Sequence, residues 1–276
     1  MTQRTWLITG ASRGFGAEIA KAVLAAGDRL IATARNQADL QQFATNKNVL
    51  VLSMDVTDET QVKAAIATSL EEFGQIDVLV NNAGFGLLGA VEECSAEEVE
   101  SVYRTNVFGL LNVTRAVLPS MRQNRSGHII NLSSIGGYRS YPGWGVYGST
   151  KFAVEGITEA LHYELAPLGI HATVVEPGFF RTNFLDGSSL RQSRIQIPDY
   201  AETVGKTRDG AVEHNYKQPG DPIKLAQAIL EIVNTDEPPL RLPLGTDTLQ
   251  AIAKKNAYVE QETQKWRTLA ESTDYR

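Results

Sequence analysis

Short apolar runs alternate along this chain with longer stretches whose apolar residues recur every three or four positions. Residues 5–9, TWLIT, read as a buried strand, and Gly10 opens a turn. A helix follows over 15–26 and ends at Gly27, the residue type that most readily takes the left-handed conformation beyond a helix. The same alternation predicts further strands at 29–34, 48–54, 76–80, 128–133 and 170–176, with helices at about 58–73, 96–123 and 145–166. Short strands separated by longer helices specify βαβ units and a parallel sheet. Several strands are apolar on consecutive residues, as a sheet covered by helices on both faces requires. Beyond Pro177 the pattern weakens, and residues 183–220 are polar, mixed and without period. A connection that long is ordinarily a functional lid or disordered. A helix at 222–234, a short strand at 240–244 and a helical tail over 246–272 with sparse apolar positions complete the pattern. With no internal repeat or low-complexity linker, the expectation is one α/β domain over 1–276, a doubly wound parallel sheet in three layers. Residues 183–220 are expected to form its substrate-loop region and 246–276 its C-terminal extension.

Composition narrows the function classes. Hydrophobic residues make up 42% of the 276, enough for a substantial core. A net charge of −6 disfavours a nucleic-acid surface, which normally needs a basic domain. Cys94 is the sole cysteine, so no internal disulfide or thiolate cluster can form, which fits a reducing compartment. The N-terminal residues lack the apolar core of a secretory signal, and no run approaches about 18 apolar residues, so neither export nor a membrane span is expected. A soluble cytoplasmic protein is the default. His128, His162, His171 and His214 are scattered, and no metal site is expected.

The first strand-to-helix turn, TGASRGFG (9–16), carries glycines at 10, 14 and 16. Glycines there let the backbone approach a pyrophosphate while the helix N–H groups face the anion. A dinucleotide site often places a carboxylate at the end of the second strand to bind the ribose 2′-hydroxyl. Here that strand ends in Ala34 and Arg35, and Arg13 sits inside the glycine turn. Two guanidiniums without a carboxylate suit a 2′-phosphate, so NADP(H) is expected over NAD(H).

TGASRGFG, NNAG (81–84), Asn106, NLSS (131–134), YGSTK (147–151) and PGFFRT (177–182) occur in the order and spacing of one family. The chain resembles the short-chain dehydrogenase/reductase family over about residues 5–182, and more loosely to about 245. NNAGFG and YGSTKFAVEG are similar to hydroxysteroid and retinol dehydrogenase-like members and to uncharacterised bacterial ones. The resemblance implies a Rossmann fold and a catalytic set of Asn106, Ser134, Tyr147 and Lys151. The residues themselves support part of this. On a helix, Tyr147 and Lys151 form an i,i+4 pair. A lysine charge ~5 Å from a phenol oxygen is worth roughly 3 kcal/mol at an effective dielectric of ~20, bringing the phenol from ~10 towards ~8. Such a group exchanges protons near neutral pH. Composition leaves Ser133 and Ser134 both open as the hydroxyl that meets the substrate oxygen; the family spacing selects Ser134, with Tyr147 as its partner there. Asn106 falls within an apolar helical stripe and needs a partner for its amide. It either binds nearby backbone or, by resemblance, holds a water that links Lys151 to solvent.

By the same resemblance, Thr9, Gly10, Ser12, Arg13, Gly14, Phe15, Gly16 and Arg35 would bind the cofactor, with Tyr147 and Lys151 on its nicotinamide side. Asp55 and Val56 would meet the adenine, and Asn82, Ala83 and Gly84 the adenosine side. Pro177, Gly178 and Thr182 would hold the nicotinamide carboxamide. Phe15 stands where Ile or Leu is common, a change of packing alone. Trp144, Phe179, Phe180 and Phe184 flank the expected site and point to an apolar alcohol or carbonyl substrate. The helices at 96–123 and 145–166 would pair in a homodimer or homotetramer. The expected function is therefore NADP(H)-dependent interconversion of an alcohol and a carbonyl. A non-catalytic NADP(H) sensor would be expected to lack part of the Tyr, Lys and Ser set. A nucleotide-sugar epimerase or dehydratase would resemble G-x-x-G-x-x-G at the first turn, unlike the spacing here.

Overall fold

The computed structural model describes residues 3–275. Its strands are β1 (Thr5–Thr9), β2 (Arg29–Ala34), β3 (Val49–Ser53), β4 (Val78–Asn81), β5 (Gly86–Leu88), β6 (Gly127–Leu132), β7 (Ile170–Pro177), β8 (Leu190–Gln192) and β9 (Arg241–Leu244). The helices are α1 (Gly14–Ala25), α2 (Glu59–Phe73), α3 (Ala96–Tyr103), α4 (Leu110–Asn124), α5 (Gly145–Leu165), α6 (Lys206–Glu213), α7 (Pro222–Val233) and α8 (Thr246–Glu271). Seven strands pair in parallel in the order β3-β2-β1-β4-β6-β7-β9. From the β1–β4 boundary the chain winds outward in both directions, which opens a crevice at the carboxyl ends of those strands.

Strand alternation divides the core into two layers. Trp6 and Ile8 of β1 pack with Ile19, Val23, Leu225 and Ile229 from α1 and α7. Leu7, between them, points the other way, to Ile66, Val113, Val117 and Leu161 from α2, α4 and α5. Local chemistry sets the helix starts that face the crevice. Asp58 caps α2 through the Thr60 and Gln61 N–H groups. Ser95 and Glu98 close a reciprocal capping box on α3.

Two expectations change. The helix expected over 96–123 is helical throughout but contains a π-helical turn, Arg104–Gly109, between α3 and α4. Asn106 lies within that turn. The stretch 183–220 is ordered, although its sequence has no period. β8 pairs in parallel with β5, Gly86 opposite Leu190, and short helical turns lead from there into α6. Three-residue strands are too short to show an alternation. The tail forms α8, in which Thr248 and Ala251 are buried while Trp266 and Leu269 lie open to solvent.

Candidate active site

A cleft of about 1190 Å³ occupies the crevice. Every expected cofactor residue lines it except Thr9 and Gly16, and Ser134 lines it as well. Those two exceptions shape the cradle from behind. The Thr9 hydroxyl accepts from the Asn82 and Ala83 N–H groups at 3.0 Å each. The Asn82 side chain donates to the carbonyls of Thr9 and Gly10 at 2.9 and 3.0 Å, tying β4 to the glycine turn. Gly10 needs its freedom, with φ at +65°. A Cβ on Gly16 would run into the Gly10 carbonyl oxygen and come within 2.5 Å of Asn82 Nδ2. The α1 N-terminus has no side-chain cap and no acidic residue in its first turn, so its N–H groups are available to an anion. This is a cradle that fits a dinucleotide pyrophosphate.

The two arginines differ. Arg35 lines the cleft, and its guanidinium makes no hydrogen bond or ion pair among the described residues. Arg13 also lines it, but its guanidinium donates to the Ser188 carbonyl, on the loop before β8. The expected pair of cations is thus one cation facing the cleft unengaged and one that also ties the loop to the glycine turn.

On the opposite wall, α5 begins at Gly145 and carries Tyr147 and Lys151 in its first two turns. Ser134 ends the segment after β6, and its Oγ accepts from the Gly136 N–H at 3.0 Å, leaving its own proton to donate. A methyl placed on Gly136 would sit 3.5 Å from Ser134 Oγ and 3.7 Å from Tyr147 Cε1, so the two side chains converge there. The Tyr147 ring lies 5.6 Å from Trp144 edge-on and 5.7 Å from Phe184. Lys151 Nζ donates to the Leu132 carbonyl at 2.7 Å and lies 5.8 Å from the Tyr147 ring centroid. All four expected aromatics line the cleft; Phe180 also packs edge-on against Phe15 at 5.5 Å, and Phe179 is half exposed.

Burial reverses the expected titration of this pair in the chain alone. It drives the Tyr147 phenol well above its ordinary value, with the Ser134 hydroxyl opposing. It also pushes Lys151 down to about 8, with the charge of Glu155 opposing. The helical spacing predicts a lowered phenol, but desolvation is the dominant effect on both groups. Asn106 is buried and lies behind the cleft wall. Its Oδ1 accepts from Phe85 N at 3.0 Å, and its Nδ2 donates to the Phe85 carbonyl and to Thr150 Oγ1 at 2.9 and 3.1 Å. The Thr150 hydroxyl donates on to the Tyr147 carbonyl at 2.7 Å. The side chain binds backbone and joins the start of β5 to the first turns of α5.

Sequence reasoning missed three contributors. Thr150 lies inside YGSTK itself and was legible as a polar residue beside the tyrosine. Phe85, under the Arg191 guanidinium at 4.3 Å, follows NNAG directly and lines the cleft. Asp247, at the start of α8, accepts from Phe179 N at 2.7 Å and packs against the face of Gly178. Nothing in the sequence ties residue 247 to a turn some seventy positions earlier.

The family model described as short chain dehydrogenase matches residues 4–192. Oxidoreductase BOA17 of Botryotinia fuckeliana is 38% identical over 270 residues, covering 97% of this chain and 98% of that one. A 3-ketodihydrosphingosine reductase of Bacteroides thetaiotaomicron is 38% identical over 253 residues, 92% of each chain. Among solved structures, a short-chain dehydrogenase from Streptomyces avermitilis superposes with a TM-score of 0.93 at 41% identity, over 99% of this chain and 100% of that one. A Burkholderia phymatum family member in complex with NAD gives 0.84 at 25% identity, over 94% and 95% of the two chains. ElxO with NADP bound gives 0.75 at 28%, over 90% and 100%.

Proposed function

The chain belongs to the short-chain dehydrogenase/reductase family, and from that premise we propose that it is an NADP(H)-dependent oxidoreductase interconverting an apolar ketone or aldehyde and its alcohol. The observation that carries this reading is the convergence of Ser134 and Tyr147 on one point of the cleft wall, with Lys151 behind them. A bound nicotinamide dinucleotide supplies or takes up the hydride. The glycine turn and the α1 N-terminus hold its pyrophosphate, Arg35 and Arg13 its 2′-phosphate, and Asp55 and Val56 its adenine. Asn82, Ala83 and Gly84 flank the adenosine side, and Pro177, Gly178 and Thr182 position the carboxamide. In reduction the Ser134 hydroxyl donates to the substrate oxygen, and Tyr147 gives up its proton as charge develops there. Burial favours the neutral phenol, which is the form an acid must have. Lys151, positive below about 8, stabilises the phenolate left behind. Asn106, through Thr150, holds the first turn of α5 in register with β5.

The aromatic wall of Trp144, Phe184 and Phe85 supports an apolar substrate. The Bacteroides relative, named as a reductase of a keto compound, supports the direction of reduction. The reading extends to a soluble protein that associates with its own copies through the faces of α5 and of the π-helical turn before α4, where Phe152 and Phe108 are exposed.

A screen of carbonyls and alcohols with the NADP and NAD pairs tests the reaction. Turnover with NADPH on apolar carbonyls is expected, and cofactor binding without turnover would favour a sensor. Tyr147→Phe is expected to lower turnover by roughly 10²- to 10⁴-fold while cofactor binding persists. Retained activity in that variant would remove Tyr147 from the chemistry.

A further inference from the structure

A buried charged cluster lies next to the catalytic row and takes no part in the steps above. Glu155 sits one helical turn beyond Lys151 on α5, and Glu176 directly precedes Pro177 on β7; both are buried. Arg241, on β9, reaches both. Its Nη1 donates to Glu155 Oε2 and, at 2.8 Å, to Glu176 Oε1, while Nη2 donates to Glu159 Oε2 at 2.9 Å. Three carboxylates therefore surround one guanidinium. The remaining oxygens, Glu155 Oε1 and Glu176 Oε2, have no hydrogen-bond partner among the described residues.

Such a cluster carries surplus negative charge in a place where charge is costly. The buried cation one helical turn from Glu155 on the same face of α5 is Lys151. Burial pushes the Glu155 carboxyl up to about 7, with the nearby Ser133 hydroxyl opposing, Glu176 reinforcing and Arg241 opposing. The charge of Glu155 in turn holds Lys151 up against its own desolvation. The groups that face Glu155 are Lys151 and Glu159 from α5, Glu176 from β7, Arg241 from β9, and Ser133 and Tyr138 from the segment after β6. Lys255 and Glu260 of α8 join them across a groove of about 490 Å³ that opens beside Glu155.

We propose that Glu155, paired with Glu176 and clamped by Arg241, is a positioning residue that supplies the counter-charge keeping Lys151 protonated next to Tyr147. This role rests on the reaction proposed above.

The test is the pH profile of kcat/KM in Glu155→Gln, which keeps the volume and removes the charge. Without that charge Lys151 releases its proton at lower pH, so the alkaline limb is expected to move down by about one unit. Glu155→Asp restores the limb. Glu159→Gln, which removes an exposed carboxylate from the same guanidinium, leaves it in place. A purely structural Glu155 would lower turnover at every pH with the limb unmoved, and that result overturns the proposal. If Glu155→Gln does not fold, Glu155→Met carries the test. It removes the same charge, so the limb must again move down, and an unmoved limb overturns the proposal. A side-chain NMR titration of Lys151 in cofactor-free wild type and variant reads the same shift without turnover. If Lys151 shifts but the wild type reduces no carbonyl, the reaction is wrong and the charge coupling stands. If the wild type turns over and Lys151 does not shift, the coupling alone is wrong.

Discussion

On the proposed reading, Arg35 is the side chain on which cofactor choice turns. Its guanidinium faces the cleft unengaged, whereas Arg13 is drawn to Ser188. Arg35→Asp is expected to weaken NADPH binding by about 10- to 100-fold, the loss of one or two charge-assisted hydrogen bonds, and to leave NADH binding equal or tighter. Fluorescence titration with each nucleotide measures both; equal losses for the two would place the 2′-phosphate elsewhere. The residues of this site were legible because their chemistry is local. A glycine turn after a strand and a tyrosine one helical turn from a lysine can be read in a few letters. The titration of Tyr147 could not be read that way. The packing of Trp144 and Phe184 around the ring comes from segments forty residues apart, and burial of that kind outweighs the opposing Ser134 hydroxyl.

Among the elements, the long helices and the strands of the seven-stranded sheet were visible in the apolar pattern, whereas β5, β8 and α6 were not. β5 and β8 each have three residues, and their pairing ties down the segment within 183–220. A second tie secures the same segment. Glu93 is buried and accepts from Ala90 N, Ile197 N and the Arg208 guanidinium on α6. Burial raises its carboxyl, but those donors outweigh it and hold the carboxyl below its ordinary range. Glu93→Gln leaves Arg208 without its counter-ion. The expected result is a loss of about 3 kcal/mol in the stability of this region, read as faster proteolysis between 193 and 213 and a raised KM. Unchanged cleavage would mean that β5 and β8 hold the segment by themselves. The π-helical turn around Asn106 also escaped the sequence. An apolar stripe reports the face of a helix and is blind to one extra residue in a turn.

Across the whole molecule, acid sensitivity has an identifiable contributor far from the cleft. His128 on β6 is buried, and its Nε2 lies 2.8 Å from Thr173 Oγ1. That hydroxyl donates its proton to the Pro239 carbonyl at 2.6 Å, so the ring nitrogen must be the donor to Thr173. Burial lowers His128 from 6.5 to about 3, with the neighbouring His171 charge adding to it. The unfolded chain therefore binds this proton from about 6.5 downward while the folded chain does not, and stability falls as pH is lowered through that window. By pH 4.5 the loss is roughly 3 kcal/mol, and His128→Gln, neutral throughout, is expected to flatten the slope in denaturant melts. The doubly wound order was readable from the alternation of strands and helices, since each turn of the winding repeats one local unit. The exposure of α8 has a further use. The chain's three indoles report from separate places: Trp6 from the interior, Trp144 from the cleft wall, and Trp266 from a helix largely surrounded by solvent. Iodide should quench the emission of Trp266 first, a nucleotide or carbonyl compound should perturb Trp144, and Trp6 should shift to the red only on unfolding. One lamp and a quencher would then follow surface, cleft and core in the same cuvette.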